Sequence, residues 1–158
     1  MKIEIGVGKR HHSGYETIDV EAYANPTYLG DFRTMHFENL DEIRSHHLFE
    51  HFNRKESLEV LKLWNSWLKL GGTLIIETPD FEGICKSFSE TTDESKRYWL
   101  CRHSSGSQEA DWSYHRDGWW EQKFRDTLPK YGFQINSISK SCSRKYLPNI
   151  TVLATKNA

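Results

Sequence analysis

The sequence predicts an α/β three-layer sandwich built on a mostly parallel sheet, with an antiparallel strand at its C-terminal edge. Three observations carry this. Short apolar segments alternate with helical periodicity, the pattern of strands joined by crossover helices. The first apolar segment, Lys2-Ile3-Glu4-Ile5, runs straight into Gly6-Val7-Gly8, a turn placed where a parallel strand ends. The last two apolar segments, 133–139 and 150–154, have no helical pattern between them and flank the turn-rich stretch 141–149, which reads as an antiparallel pair.

Taken in order, strands are expected at 2–5, 15–18, near 27–30, 42–46, 73–78, 133–139 and 150–154. Only six residues, Lys9 to Gly14, separate Gly8 from the second strand, whereas a parallel crossover ordinarily needs about a dozen. Six extended residues reach roughly 20 Å, enough to return beside a short strand. The crossover is therefore expected to be a bare loop that leaves one face near the first strand less covered. The best helix runs from about Arg54 to Leu68, with Leu58, Leu61, Trp64 and Leu68 on one stripe, and is expected to stop at Leu70-Gly71-Gly72 with glycine as its left-handed cap. Thr73 to Thr78 is an apolar, partly β-branched run closed by Pro79-Asp80, a buried strand. A second helix is expected from Gly118 to Tyr131, carrying Trp120, Phe124 and Leu128 and ending at Gly132, while Glu90 to His115 is polar, aromatic and unassigned.

At 158 residues the chain fits one domain, residues 1–158, with a core of useful size. The net charge of −1 and the dispersed Lys and Arg residues give no case for a nucleic-acid partner. The longest apolar run is a few residues, so neither a membrane span nor a signal peptide is expected, and the expected location is cytoplasmic. Cys85, Cys101 and Cys142 are odd in number and lack Cys-x-x-Cys spacing, arguing for reduced thiols and against a thiolate zinc site. Eight histidines and six tryptophans exceed what packing alone needs, and they gather at 11–12, 46–51 and 103–120.

A strand ending in Gly-x-Gly lets a ligand approach the main chain, and an acid at the end of the next strand, Asp19, suits a ribose whose two hydroxyls donate to one carboxylate. The turn alone is an ordinary feature. Further motifs follow in order: Gly14-Tyr15-Glu16-Thr17-Ile18-Asp19, Gly30-Asp31-Phe32-Arg33, Ile43 to Phe52 with its Ser45-His46-His47, Leu68-Lys69-Leu70-Gly71-Gly72, and Thr78-Pro79-Asp80-Phe81. Over about the first 80 residues this order resembles a class I S-adenosylmethionine-dependent methyltransferase of the short, methyltransferase type 11-like kind, and Tyr131-Gly132-Phe133 fits the helix-then-strand ending of that family.

The resemblance implies a Rossmann-like sheet, S-adenosyl-L-methionine as cofactor, and methyl transfer to a small-molecule acceptor such as a sugar, a quinone-like compound or another metabolite. It implies cofactor contacts from Glu4, Gly6, Val7 and Gly8, with Asp19 on the ribose hydroxyls. Asp31 would accept from the adenine amino group beside the Phe32 backbone, and the Ser45 and His46 carbonyls would meet the cofactor's ammonium. His115 and His51 are the candidate catalytic bases, with no metal required. Trp112, Trp119 and Trp120 are candidates for an acceptor platform, a dimer contact or core. A partner subunit closing the substrate side would make the chain a homodimer.

The chain departs from the family pattern at Arg10, where relatives carry a third glycine, at Leu70, where they carry proline, and in the missing first crossover helix. Two alternatives stay open. One is a binding or scaffold domain that keeps the fold without turnover. The other is a zinc hydrolase using His47-Leu48-Phe49-Glu50-His51, in which two histidines of one helix hold the metal and the glutamate acts as base.

Overall fold

The computed structural model describes residues 1–158. A seven-stranded sheet in the order β3-β2-β1-β4-β5-β7-β6 organises the chain. Its strands are β1 (Lys2–Ile5), β2 (Glu16–Asp19), β3 (Tyr28–Leu29), β4 (Leu40–His46), β5 (Leu68–Pro79), β6 (Phe133–Ser143) and β7 (Leu147–Lys156). Only β7 runs against the others, and it is inserted between β5 and β6, so the antiparallel hairpin closes the sheet with β6 at the rim.

Register aligns Ile5, Ser45, Ile76 and Val152 across β1, β4, β5 and β7. Apart from Ser45, these residues join Ile3, Ile43, Leu74 and Ile150 in one apolar sheet face, part of a core of 22 buried side chains. Helix α1 (Arg54–Trp67) buries Val60, Leu61, Trp64 and Trp67 in that core. Its start is fixed by a reciprocal cap: the Asn53 side chain accepts from the Lys55 and Glu56 amides while Glu56 accepts from the Asn53 amide. The apolar stripe is rotated from the one expected, since Leu58 is only partly buried and Trp67 takes its place.

Glycine does not cap this helix. Its C-cap is Leu68, already extended and already in β5. Gly71, at φ +78°, instead serves a bulge in which Lys69 to Gly72 face the single residue Asp41 of the neighbouring strand.

Helix α2 (Phe81–Glu90), which the sequence reading did not place, precedes the stretch left unassigned, and α3 (Glu94–Ser105) lies within it; both join β7 through Ile84, Leu100 and Leu147. Helix α4 (Glu121–Thr127) is shorter than expected and passes into a 3-10 turn, Leu128–Tyr131, before Gly132. Phe124 and Leu128 are buried as expected, but Trp120 is exposed and Trp119 takes the core position. Trp119 stacks on Phe124 and packs against Phe49, with ring centroids 4.8 Å apart in both pairs.

The crossover from β1 to β2 is a bare loop, as its length requires. The opposite sheet face carries Glu4, Arg44, Ile75 and Leu153 in register, and all but Glu4 stay partly exposed. The Glu4 carboxylate, buried beneath the loop, accepts the His12 amide at 3.1 Å, meets His12 Nδ1 at 2.7 Å, and lies 3.7 Å from Arg44 Nε. At the far edge of the sheet Arg144 and Lys145, at φ +47° and +68°, are the left-handed central residues of the tight turn Ser143 to Tyr146, in which the Tyr146 amide donates to the Ser143 carbonyl.

Replacing Glu4 with Gln keeps the shape and removes the charge; the expected cost is roughly 1–3 kcal/mol, read as a lower urea midpoint. Replacing Arg144-Lys145 with Asn-Gly relieves the left-handed strain and should raise stability by about 1–2 kcal/mol, checked by the same titration.

Candidate functional site

A cavity of about 960 Å³ opens at the carboxyl ends of the parallel strands, where open α/β sheets bind ligands. It stands near the top of the roughly 300–1,000 Å³ range of small-molecule sites, room for more than one small ligand. The first turn forms one wall. Gly6 sits at φ +72°, and a Cβ there would press to 3.1 Å from the Leu48 side chain. Gly8, at φ +53°, has nothing within 4 Å of a Cβ position, so its main chain is open on that side. The Gly8 amide donates to Asp19 Oδ2 and the Glu21 amide to Oδ1, both at 2.9 Å. Each carboxylate oxygen keeps a lone pair, so Asp19 still has acceptor capacity toward the cavity it lines.

Asp31 and Phe32 lie on the same wall. Asp31 caps a 3-10 turn, Phe32–Thr34, through the Arg33 amide, and Arg33 Nε and Nη2 grip its carboxylate at 3.0 and 2.7 Å. The guanidinium holds this carboxyl below the usual range. The Phe32 ring is core, packed against Phe52, Trp64 and Trp67, so only its main chain and edge serve the cavity.

Two expected contacts are not on this wall. Glu4 points to the opposite sheet face, committed to His12 and Arg44, because alternation along β1 sends Ile3 and Ile5 to the core and Glu4 away from them. Ser45 is fully buried between Ile5 and Ile76 and does not line the cavity. His46, the next residue, does line it.

The His47 to His51 motif is broken in two. Residues Phe49–His51 form a 3-10 turn rather than an α-helix, so the two histidines do not share a face. His47 turns toward Glu77, with Nε2 3.5 Å from Oε1, while His51 donates from Nδ1 to the Tyr114 carbonyl and packs against the His115 ring. The zinc-hydrolase arrangement is therefore not formed. Glu50 stands between the halves: Oε1 is 3.1 Å from His47 Nδ1 and 3.8 Å from His115 Nε2, and its main-chain carbonyl accepts the Arg116 and Asp117 amides.

Burial alone would depress the His47 imidazole, but hydrogen bonds to Glu50 and Glu77 push it up to about 9. Hydrogen bonds from His46 and His47 hold the Glu77 carboxyl well below the usual carboxylate range. Burial would raise Glu50, and the His47 hydrogen bond and charge reverse that direction.

His115 does not reach the cavity. It lines a separate small depression, donates from Nδ1 to the His103 carbonyl, and is shifted down by burial. This is a structural position behind Glu50. His51 does reach the cavity, and with Nδ1 committed to Tyr114 its Nε2 carries the free lone pair. Of the three tryptophans in the late cluster, Trp112 lines the cavity, Trp119 is core, and Trp120 is half-exposed off the site.

The sequence reading missed Glu77, Arg10, Arg116, Asn149 and the hairpin residues 141–143, all of which line the cavity. Glu77 had a legible signal, a charged residue at the carboxyl end of an apolar strand. The hairpin residues had none, since only the pairing of β6 with β7 brings them there.

No family model and no curated protein matches the chain. Solved structures do. The 1,6-didemethyltoxoflavin-N1-methyltransferase of Burkholderia thailandensis, solved with 1,6-didemethyltoxoflavin and S-adenosylhomocysteine, aligns at TM-score 0.69 and 10% identity over 99% of this chain and 71% of its own. An S-adenosylmethionine-dependent methyltransferase from Mesorhizobium loti aligns at TM-score 0.65 and 16% identity, covering 98% and 89%. A complex of the Haloferax volcanii Trm112 methyltransferase activator with a methyltransferase gives TM-score 0.66 at 12% identity, covering 99% and 82%. The fold is that of the class I S-adenosylmethionine-dependent methyltransferases. No helix is long and apolar enough to cross a membrane.

The two histidines of the Glu50 cluster should separate in a thermal melt. Substituting alanine for His115 removes a partly buried ring and its bond to His103 and should lower the melting temperature by several degrees, roughly 1–3 kcal/mol. Substituting His51 at the cavity wall should lower it less.

Proposed function

We propose that this chain is an S-adenosylmethionine-dependent methyltransferase acting on a small-molecule acceptor. One observation carries the reading: the Gly8 amide rests on Asp19 at the carboxyl ends of two adjacent parallel strands, with open space beside Gly8 and a large cavity beyond. The fold of the similar structures supports it, and so does the bound S-adenosylhomocysteine of the Burkholderia neighbour.

The residues present fit the cofactor. Gly6, Val7 and Gly8 offer main chain to its amino-acid part, Asp19 accepts from the ribose hydroxyls, and Asp31 accepts from the adenine amino group beside the Phe32 main chain. The His46 carbonyl would meet the ammonium. When bound, S-adenosylmethionine supplies an activated methyl group on sulfonium, ready for in-line displacement. The protein's work is then alignment, which can supply much of the rate. Trp112 offers an aromatic surface to the acceptor, and His51 Nε2 takes the proton of an oxygen or nitrogen nucleophile.

Calorimetric titration with S-adenosylmethionine and S-adenosylhomocysteine should give micromolar binding, and a folded sample that binds neither overturns the reading. Replacing Asp19 with Asn should weaken S-adenosylhomocysteine and adenosine alike, by about 10–100-fold, the loss of hydrogen bonds to a charged acceptor. Unchanged affinity for adenosine would remove Asp19 from the ribose site. With cofactor bound, His51→Ala should cut turnover with an oxygen acceptor by about 100-fold or more and leave cofactor affinity within a factor of about two.

A further inference from the structure

Three metal-binding side chains converge on the cavity wall: His46, His47 and Glu77, whose donor atoms all lie within 4.8 Å of one another. Their placement follows from the sheet. His46 ends β4 directly opposite Glu77 of β5, so both side chains leave the same face. His47 then adopts φ +50°, a conformation that costs a non-glycine residue about 1–2 kcal/mol, and brings its ring back to the same carboxylate.

His46 Nε2 and His47 Nε2 lie 3.0 and 3.5 Å from the one oxygen Glu77 Oε1, and the two rings meet at 4.6 Å. Two donors bound to one metal at about 2.1 Å stand roughly 3.0–3.4 Å apart, so the spacing suits a shared ion with little rearrangement.

The outer contacts are those of a supported metal site. His47 Nδ1 is 3.1 Å from Oε1 of the buried Glu50, which leaves Nε2 for the ligand role. Thr151 Oγ1 donates to Glu77 Oε2 at 3.1 Å, which turns Oε1 toward the rings. Partners of this kind fix the orientation of ligating histidines and carboxylates.

We propose that His46, His47 and Glu77 form a binding site for a divalent transition-metal ion in the wall of the cavity. Two imidazoles and a carboxylate are the donor set of facially coordinated iron, and suit zinc, cobalt or manganese as well. All three ligands come from the sheet side, so the remaining positions face the cavity and are open to water or to an oxygen of the acceptor; that last role rests on the methyl-transfer reading, the metal site itself does not. The proposal departs from the metal-free expectation of the sequence. Arg10 competes for it: its Nη1 lies 3.1 Å from His46 Nε2, on an exposed stretch of the bare crossover, and must swing away when the ion binds.

The test is titration of chelator-treated, tag-free protein with Co²⁺ in the absence of cofactor, followed by calorimetry and visible absorption. One Co²⁺ per chain is expected, with ligand-field bands and no thiolate charge transfer. His46→Ala and Glu77→Gln should abolish it, Thr151→Val should weaken it about tenfold, and Arg10→Ala should tighten it several-fold. Cys142→Ser, at the cavity wall, should leave it unchanged. No stoichiometric binding to folded wild-type protein overturns the proposal. So does full binding in His46→Ala and Glu77→Gln or, should those not fold, unchanged affinity in both Thr151→Val and Arg10→Ala. Cofactor binding measured separately reports on methyl transfer, so the two readings fail independently.

Discussion

The Glu4 carboxylate under the β1-to-β2 crossover is the constraint on which the site depends. A parallel pair joined without a helix has no apolar crossover to hold it down, and here the task passes to one buried charge that takes the His12 amide and ring and faces Arg44. Pinned at His12, the loop delivers Gly8 to Asp19, and that contact shapes the rim of the cavity. The same economy explains the sheet's asymmetry. One face carries the isoleucines and the aromatic stack of Phe49, Trp119 and Phe124, while Arg44, Ile75 and Leu153 on the other stay partly exposed.

Glu50 plays the corresponding part on the other side of the cavity. Buried beside His47 and His115, it also accepts two amides from the segment after Tyr114 on its main-chain carbonyl. One residue thus fastens the end of β4 to a loop more than sixty positions later. A carboxylate taken out of water is costly unless its charge is met, and here imidazoles on two sides meet it. His47 and His115 gather at this point because both rings face the one buried carboxylate.

The fold was largely legible because its signals are local. Ile3 and Ile5 alternate with Glu4, the helix from Arg54 announces itself in the spacing of Leu61, Trp64 and Leu68, and the shortness of Lys9 to Gly14 excludes a crossover helix. Legibility failed where tertiary context chose between equal local options. Gly71 looked like a helix cap, but Leu68 pairs with Leu40 and draws the chain into β5 five residues before the expected start at Thr73. At the site, Gly8, Asp19 and Asp31 line the cavity from strand ends, whereas Glu4 and Ser45 do not line it. Glu77 lines the cavity from the end of β5, while His115 lies outside it. Helix α3 and the hairpin decide which of the late polar residues reach the cavity, and Asn149 arrives only through antiparallel pairing.

The two rims of the sheet are unequal. β3 is two residues long, too short to offer another chain a useful row of unpaired amides and carbonyls. β6 is eleven residues long and presents such a row along the molecule's flank. Its outward side chains are Gln134, Asn136, Ser137, Ser139, Lys140, Ser141 and Cys142, and a bulge at Asn136 throws its pleat out of step. Strand-to-strand adhesion between copies needs a flat, apolar and regular edge, and this one is none of the three. The molecule thus guards one rim by brevity and the other by polarity, so the long hairpin that lends residues to the cavity does not become a seed for fibrils.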